Sequence, residues 1–227
     1  MTESRTVEDR LREEYFKLLP DLRRTLFALD SDVRRHLLPI IINLKPYEQV
    51  RIASRLKECE SAVDALRRRQ EGGGFDPDTP ESYSLSALRD LASIRVLVFP
   101  SQRIDYVHGA LLPLLTDWKS DPVRGIDPEG PPLAPKYYGR CASGGTTVTA
   151  EIQIVPSLIG LFWEVEHSAL YKTAPELQGV MRLSRMKDRR NSVYSALRDF
   201  EIEFERVIRD SPENDDPQSA AATSPTG

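Results

Sequence analysis

Hydrophobic and polar positions alternate along residues 146–155. Thr146, Val148, Ala150, Ile152 and Ile154 fall on one side, and Thr147, Thr149, Glu151, Gln153 and Val155 on the other. A period of two predicts a strand with one buried face, and it sets Glu151 and Gln153 side by side on the opposite face. Pro156 stops that strand and suits the first turn of a helix. In that helix Leu158, Leu161, Phe162, Val165, Ala169 and Leu170 recur at helical spacing. Glu164, His167 and Tyr171 share one of its stripes, while Phe162 and Trp163 read as core. Residues 94–99 (IRVLVF) are apolar and rich in β-branched side chains, the pattern of a buried central strand. Residues 50–55 predict a shorter strand.

Elsewhere the pattern is helical. Leu11, Tyr15, Leu18 and Leu19 mark a first run that Pro20 breaks or restarts. Leu22, Leu26 and Leu29 mark a second, and residues 33–44 a third or kinked one. A helix is expected over residues 58–70, ended by Gly72-Gly73-Gly74 and followed by a loop. A short helix is expected over 85–92. Another is expected to start from a cap at Ser101 and to carry Ile104, Val107, Leu111, Leu114, Leu115 and Trp118. Residues 121–135 read as a long loop leading to Lys136-Tyr137-Tyr138-Gly139-Arg140, with one or two short strands between 121 and 140. A basic cluster (Arg182, Arg185, Lys187, Arg189, Arg190) precedes a last helix over 193–208, in which Ala196, Leu197, Phe200, Phe204 and Ile208 face inward. Residues 211–227 have the composition of a disordered tail.

Composition narrows the class. The chain has 227 residues, 40% hydrophobic and 29% charged, which suits one globular domain with helical extensions. A formal net charge of −4 argues against a protein coated in nucleic acid by bulk charge. Cys59 and Cys141 match neither a disulfide framework nor zinc spacing. The charged N-terminus has no apolar signal core, and no run reaches the roughly 20 apolar residues of a membrane span. A cytoplasmic protein without membrane contact is expected.

Four clusters carry chemistry. Ser54-Arg55-Leu56-Lys57, with Ser61 a turn into the next helix, suits a phosphate chain. Asp90 precedes the central strand, where ligands of α/β sheets gather, and reads equally well as a cap or as a partner of Arg95. Glu151 joins Gln153, and together with Asp90 it could hold one Mg²⁺ and its waters. Tyr137, Tyr138 and Arg140 offer aromatic faces and a cation. His36 and His108 have no evident partner.

Read together, these segments resemble the synthetase domain of the RelA/SpoT family, the alarmone synthetases. Arg55-Leu56-Lys57 followed by Ser61 is similar to the family's Arg-x-Lys and Ser-bearing helix. Asp90-Leu91-Ala92-Ser93-Ile94-Arg95-Val96 is similar to Asp-(Ile/Leu)-Ala-Gly-(Ile/Val)-Arg-Val. Glu151-Ile152-Gln153-Ile154 matches Glu-Ile-Gln-Ile, and Trp163, Glu166, His167, Tyr171 and Lys172 match the Trp-x-x-x-Glu-His-x-x-x-Tyr-Lys helix. The chain departs from the pattern at Ser93 (Gly), Val155-Pro156 (Arg-Thr), Ala65 (Lys) and residues 137–143, where Arg140 is kept and the family's His is absent.

The resemblance implies an α+β fold, a small mixed β-sheet flanked by helices. That fold is nucleotidyltransferase-like, with N- and C-terminal helical extensions. It implies a helical layer over 1–45, a synthetase domain over 46–209 and a tail over 210–227. The implied activity is transfer of the β,γ-diphosphate of ATP to the 3′-hydroxyl of a guanosine nucleotide. Arg55, Lys57, Ser61 and Arg95 would hold ATP, while Asp90 and Glu151 would bind Mg²⁺ and serve catalysis. On the acceptor side Tyr137 or Tyr138 would stack the base, Arg140 would bind with them, and Gln153 and His167 would line the site or brace it. The alternatives are a tRNA 3′ end as acceptor, suited to the basic cluster, and a non-catalytic nucleotide-binding member. Homo-oligomers are common among such relatives.

Overall fold

The computed structural model describes residues 6–73, 83–124, 132–166 and 184–210. The chain divides into two compact units, residues 1–160 and 161–227. The first is an α+β unit built on a five-stranded sheet of order β1-β2-β5-β4-β3. Its strands are β1 (Gln49–Leu56), β2 (Ala92–Phe99), β3 (Lys119–Ser120), β4 (Lys136–Ser143) and β5 (Thr146–Pro156). Only β2 and β5 run parallel; the other pairs are antiparallel, so the sheet is mixed.

Helix α1 (Val7–Ile41) runs unbroken through Pro20 and Pro39. Its buried seam is Leu11, Tyr15, Leu22, Thr25, Leu29, Val33, Leu37 and Ile40, while both prolines lie on the exposed side. The carbonyls that the prolines leave without an amide partner therefore face water, and packing of the seam carries the helix past them. Thr6 and Asp9 close its N-terminus as a capping box, with Asp9 N–H donating to Thr6 Oγ1 at 3.1 Å. The seam joins one core with Ile94, Val96, Val98, Val148, Ala150, Ile152 and Ile154 of the sheet and with Ala62, Val63 and Leu66 of α2 (Cys59–Glu71). The N-terminal helical layer is thus part of the sheet's own core.

Several expectations are revised. Residues 85–92 form only a 3₁₀ turn at Leu85–Ala87 before the chain extends into β2, because Leu85, Leu88 and Leu91 are each buried in the core. Ser101 is not a cap: a 3₁₀ turn at Ser101–Arg103 leads into α3 (Ile104–Leu111) without a side-chain cap bond. Pro113 shortens α3 by turning residues Leu112–Leu114 into 3₁₀ geometry. Pro156 is the last residue of β5, and α4 begins after it, at Ser157–Glu166. The long-loop region carries β3 and a bridge between Val123 and Ala134. The start of α4 closes on the sheet face opposite α1, since a Cβ at Gly160 would lie 2.3 Å from Leu97 Cδ2.

The second unit contains the rest of α4 and α5 (Ser184–Asp210). Trp163 Nε1 donates to the Tyr194 hydroxyl at 2.7 Å, and Arg190 pairs with the buried Glu166 at 2.7 Å. Phe162 meets Tyr194 edge-on at 5.2 Å. Phe200 is 55% exposed, so the inward stripe of α5 passes instead through Tyr194, Leu197, Glu201, Phe204, Glu205 and Ile208; Ala196 is exposed as well. Among the described residues no helix is long and apolar enough to cross a membrane.

Gly139 on β4 lies under the Trp118 indole, where an added Cβ would fall 2.1 Å from Cε2. Gly139→Ala is expected to lower stability by about 1–3 kcal/mol through overpacking. In urea denaturation this reads as a lower midpoint at an unchanged slope.

Candidate functional site

Register places the polar side chains. Across β1 and β2, Arg55 faces Ser93 and Ala53 faces Arg95. Across the parallel pair β2 and β5, Ser93 faces Glu151 and Arg95 faces Gln153. Across β5 and β4, Glu151 faces Tyr138, Gln153 faces Lys136 and Thr149 faces Arg140. Two rows therefore cross the sheet on the side away from α1: Arg55–Ser93–Glu151–Tyr138 and Ala53–Arg95–Gln153–Lys136. The interposed residues Ile94, Ile152 and Ile154 point into the core, as a period of two demands.

Glu151 is 7% exposed. Gln153 Nε2 donates to its Oε1 at 2.7 Å, and Arg95 Nε donates to Gln153 Oε1 at 3.2 Å. Burial pushes the Glu151 carboxyl above the ordinary carboxylate range. The hydrogen bond from Tyr138 counters this, Asp90 adds to it, and Lys136 and Arg95 oppose it. Tyr138 is raised by burial and partly offset by the hydrogen bond it receives from Lys136. For Lys136, burial works downward but is outweighed by Tyr138, Asp121 and Glu151, so its net shift is upward.

Lys57 and Asp90 sit just beyond the ends of β1 and β2, and Lys57 Nζ meets Asp90 Oδ2 at 2.5 Å. The pairing of β1 and β2 extends to them through Lys57 N–H donating to Leu91 O at 2.9 Å. From α1, the Tyr15 hydroxyl donates to the Lys57 carbonyl at 2.8 Å and fixes the backbone there. Asp90 therefore pairs with Lys57, rather than capping or meeting Arg95. Arg55 is exposed at the end of β1, and Ser61 lies in the first turn of α2, half-buried.

Among the described residues two cavities flank Tyr138. One, of about 380 Å³, is lined by Arg69, Ala87, Arg89, Asp90, Asp121 and Tyr138. The other, of about 590 Å³, includes Arg89, Trp118, Arg140 and Thr149 in its wall. Lys136 Nζ and the Arg89 guanidinium lie 5.2 and 5.7 Å from the Tyr138 ring centre.

Asp90 and Glu151 bring oxygen donors without thiol or imidazole, the set a hard cation such as Mg²⁺ takes. Among the described residues no group of three His, Cys, Asp or Glu side chains is arranged for a metal. Two carboxylates would leave the other positions to water and phosphate oxygens, the coordination Mg²⁺ prefers. The influence of Asp90 on Glu151 is a repulsion, which a divalent cation between them would relieve.

Tyr137 is not brought to this group. It shares the core-facing side of β4 with Gly139 and Cys141, and its hydroxyl is 2.7 Å from His108 Nε2. His108 thus has a partner that sequence spacing did not reveal. His167, Tyr171, Lys172 and Arg182 lie outside the described residues. Lys136 and Arg89 were missed as site residues; the alternation of Lys136, Tyr138 and Arg140 was the available signal for Lys136.

No protein-family model matches the sequence, and no curated protein matches it significantly. Solved structures do match. The structure is similar to small alarmone synthetase 1 from Bacillus subtilis bound to its product pppGpp, with TM-score 0.63 and 16% identity over 88% of this chain and 99% of that one. For the same enzyme bound to AMPCPP the TM-score is 0.56, with 18% identity over 88% of this chain and 100% of that one. A GTP pyrophosphokinase family protein from Streptococcus pneumoniae gives 0.62, with 20% identity over 87% and 94%. The chain has the fold of the small alarmone synthetases, as the resemblance in its motifs implied.

The raised Glu151 carboxyl has a measurable consequence. Between its ordinary and its folded-state titration points the native state binds the extra proton, so wild-type stability falls as pH rises through that window. Glu151→Gln removes the titration. The variant is expected to gain stability relative to wild type as pH rises above the ordinary carboxylate range, and the gap should close at acid pH. Urea midpoints between pH 4 and 8 check this.

Proposed function

We propose that this protein is a nucleotide pyrophosphokinase that transfers the β,γ-diphosphate of ATP to the 3′-hydroxyl of a guanosine nucleotide and releases AMP. The observation that carries the reading is the placement of Arg55, Arg95, Glu151 and Gln153 on one face of the sheet, with the Lys57–Asp90 ion pair just beyond the ends of β1 and β2. The fold adds support, since neighbours that share it were captured with AMPCPP and with pppGpp.

Diphosphate transfer needs alignment and charge neutralisation more than covalent catalysis. Arg55 and Lys57 leave β1 where the phosphate chain would run, and Ser61 opens α2 beside them. Asp90 and Glu151 would hold Mg²⁺, which screens the charge of the transferring phosphates. The acceptor 3′-oxygen attacks the β-phosphorus, the Pα–O–Pβ bond breaks, and AMP leaves with the bridging oxygen. Alternatively Glu151, in place of that contact with the ion, would take the 3′-hydroxyl proton as the base, with Gln153 and Tyr138 beside it to hold its carboxylate. Arg95 acts at one remove, orienting Gln153. The cavity lined by Arg89, Trp118 and Arg140 offers the acceptor nucleotide room beside Tyr138.

Incubation with γ-labelled ATP, Mg²⁺ and GDP, GTP or bulk tRNA in turn tests the proposal. Label is expected in a guanosine tetra- or pentaphosphate. Label in RNA would instead make a tRNA 3′ end the acceptor, and no transfer at all would sink the enzymatic reading. Glu151→Gln is expected to lower kcat about 10²–10⁴-fold. Arg55→Ala should raise the KM for ATP about tenfold, a lost charge-assisted phosphate contact.

A further inference from the structure

We propose that Tyr138 and Gln153 form a two-sided clamp that aims the Glu151 carboxylate, with Tyr138 acting through its hydroxyl rather than its ring face. Both are then positioning residues, not acceptor-binding ones. The inference rests on the pyrophosphokinase reading for the reaction it serves, but the clamp is visible without it.

Tyr138 stands directly opposite Glu151 in the β4–β5 register, and Gln153 is two residues along β5 on the same face. The Gln153 amide is fixed in sense. Arg95 Nε donates to Oε1 at 3.2 Å, which turns Nε2 toward Glu151 Oε1 at 2.7 Å. Tyr138 is flanked in a similar way: Glu151 stands directly across the register, Lys136 is two residues before it on the same face, and both act on its hydroxyl. Lys136 is in turn tied to Asp121 at 3.4 Å. The ring already has two cations against it, Lys136 at 5.2 Å and Arg89 at 5.7 Å from its centre. A nucleobase stacking there would have to displace a favourable contact.

The arrangement has a physical purpose. A glutamate has a free terminal torsion, and a general base misplaced by about 1 Å can cost 10²-fold in rate. Each arm here is a donor that is itself anchored by a cation, Arg95 behind Gln153 and Lys136 behind Tyr138. A hydroxyl that accepts from an ammonium donates more strongly, so the chain is cooperative. This is the supporting shell that a precise carboxylate needs.

Two measurements decide it. In steady-state transfer to the guanosine acceptor, Tyr138→Phe is expected to lower kcat at least tenfold and leave the acceptor KM within about twofold, and Gln153→Met should do the same. If Tyr138→Phe keeps kcat while Tyr138→Ala raises the acceptor KM, the ring is a stacking platform and the clamp is overturned. The second measurement needs no activity: a double-mutant cycle of Tyr138→Phe and Glu151→Met by urea unfolding. The unfolding constant of the double variant is expected to depart about fivefold or more from the product of the singles, and strict additivity overturns the clamp. Should wild type transfer diphosphate to no acceptor, the pyrophosphokinase reading fails on its own, and the cycle still decides whether hydroxyl and carboxylate are coupled.

Discussion

Glu151 lies in the middle of the sheet with Ser93 beside it on β2 and Tyr138 beside it on β4, and only 7% of it reaches solvent. An ionised carboxylate in such a place is costly unless its oxygens are satisfied and cations stand near. Much of the polar face can be read as the answer to that constraint. Gln153 and Tyr138 supply hydrogen bonds, and Arg95 and Lys136 supply charge. Asp90 adds charge of the wrong sign, held in check by Lys57. A protein with no use for two such carboxylates would do better with neutral side chains. Their presence together is what makes the face read as a site rather than as surface.

The opposite face supplies the rigidity. The α1 seam covers the apolar side of β2 and β5, and Tyr15 reaches past the sheet edge to the Lys57 carbonyl. Core packing and site geometry are therefore joined by a single helix. The first turn of α4 performs the complementary task on the polar side, where Gly160 admits Leu97 and closes the apolar end of that face. At the other end of that face stand Arg55, exposed, and Ser93, half-buried, beside the buried Glu151.

Much of this was legible from residue order. The alternation in β5 placed Glu151 and Gln153 together, and the apolar run of β2 fixed a central strand. The Asp90 and Glu151 motifs point to a synthetase-like fold from residue order alone. Local pattern failed where tertiary context overrode it. Pro20 reads as a break, yet the buried seam of α1 carries the helix through because the proline faces water. Leu85, Leu88 and Leu91 have helical spacing but are buried from an irregular segment. Residues 136–143 carry polar and small side chains, so β4 is hard to see without its partners. The choice between Tyr137 and Tyr138 depends on strand register, which composition does not encode.

That register has a mechanical origin in the turn between β4 and β5. Gly144 and Gly145 have φ of 57° and 87°, and Ser143 pairs with Thr146 across them, so the hairpin is closed by two residues. Counting back from this hinge brings the second tyrosine, not the first, over the carboxylate. With a two-residue closure kept, one residue fewer in the turn would bring Tyr137 opposite Glu151 and one residue more would bring Gly139, and either slip turns β4 over and sends a polar row into the core. The two glycines that let the chain reverse in two residues are therefore what delivers the Tyr138 hydroxyl, and not a bare backbone position, to the carboxylate.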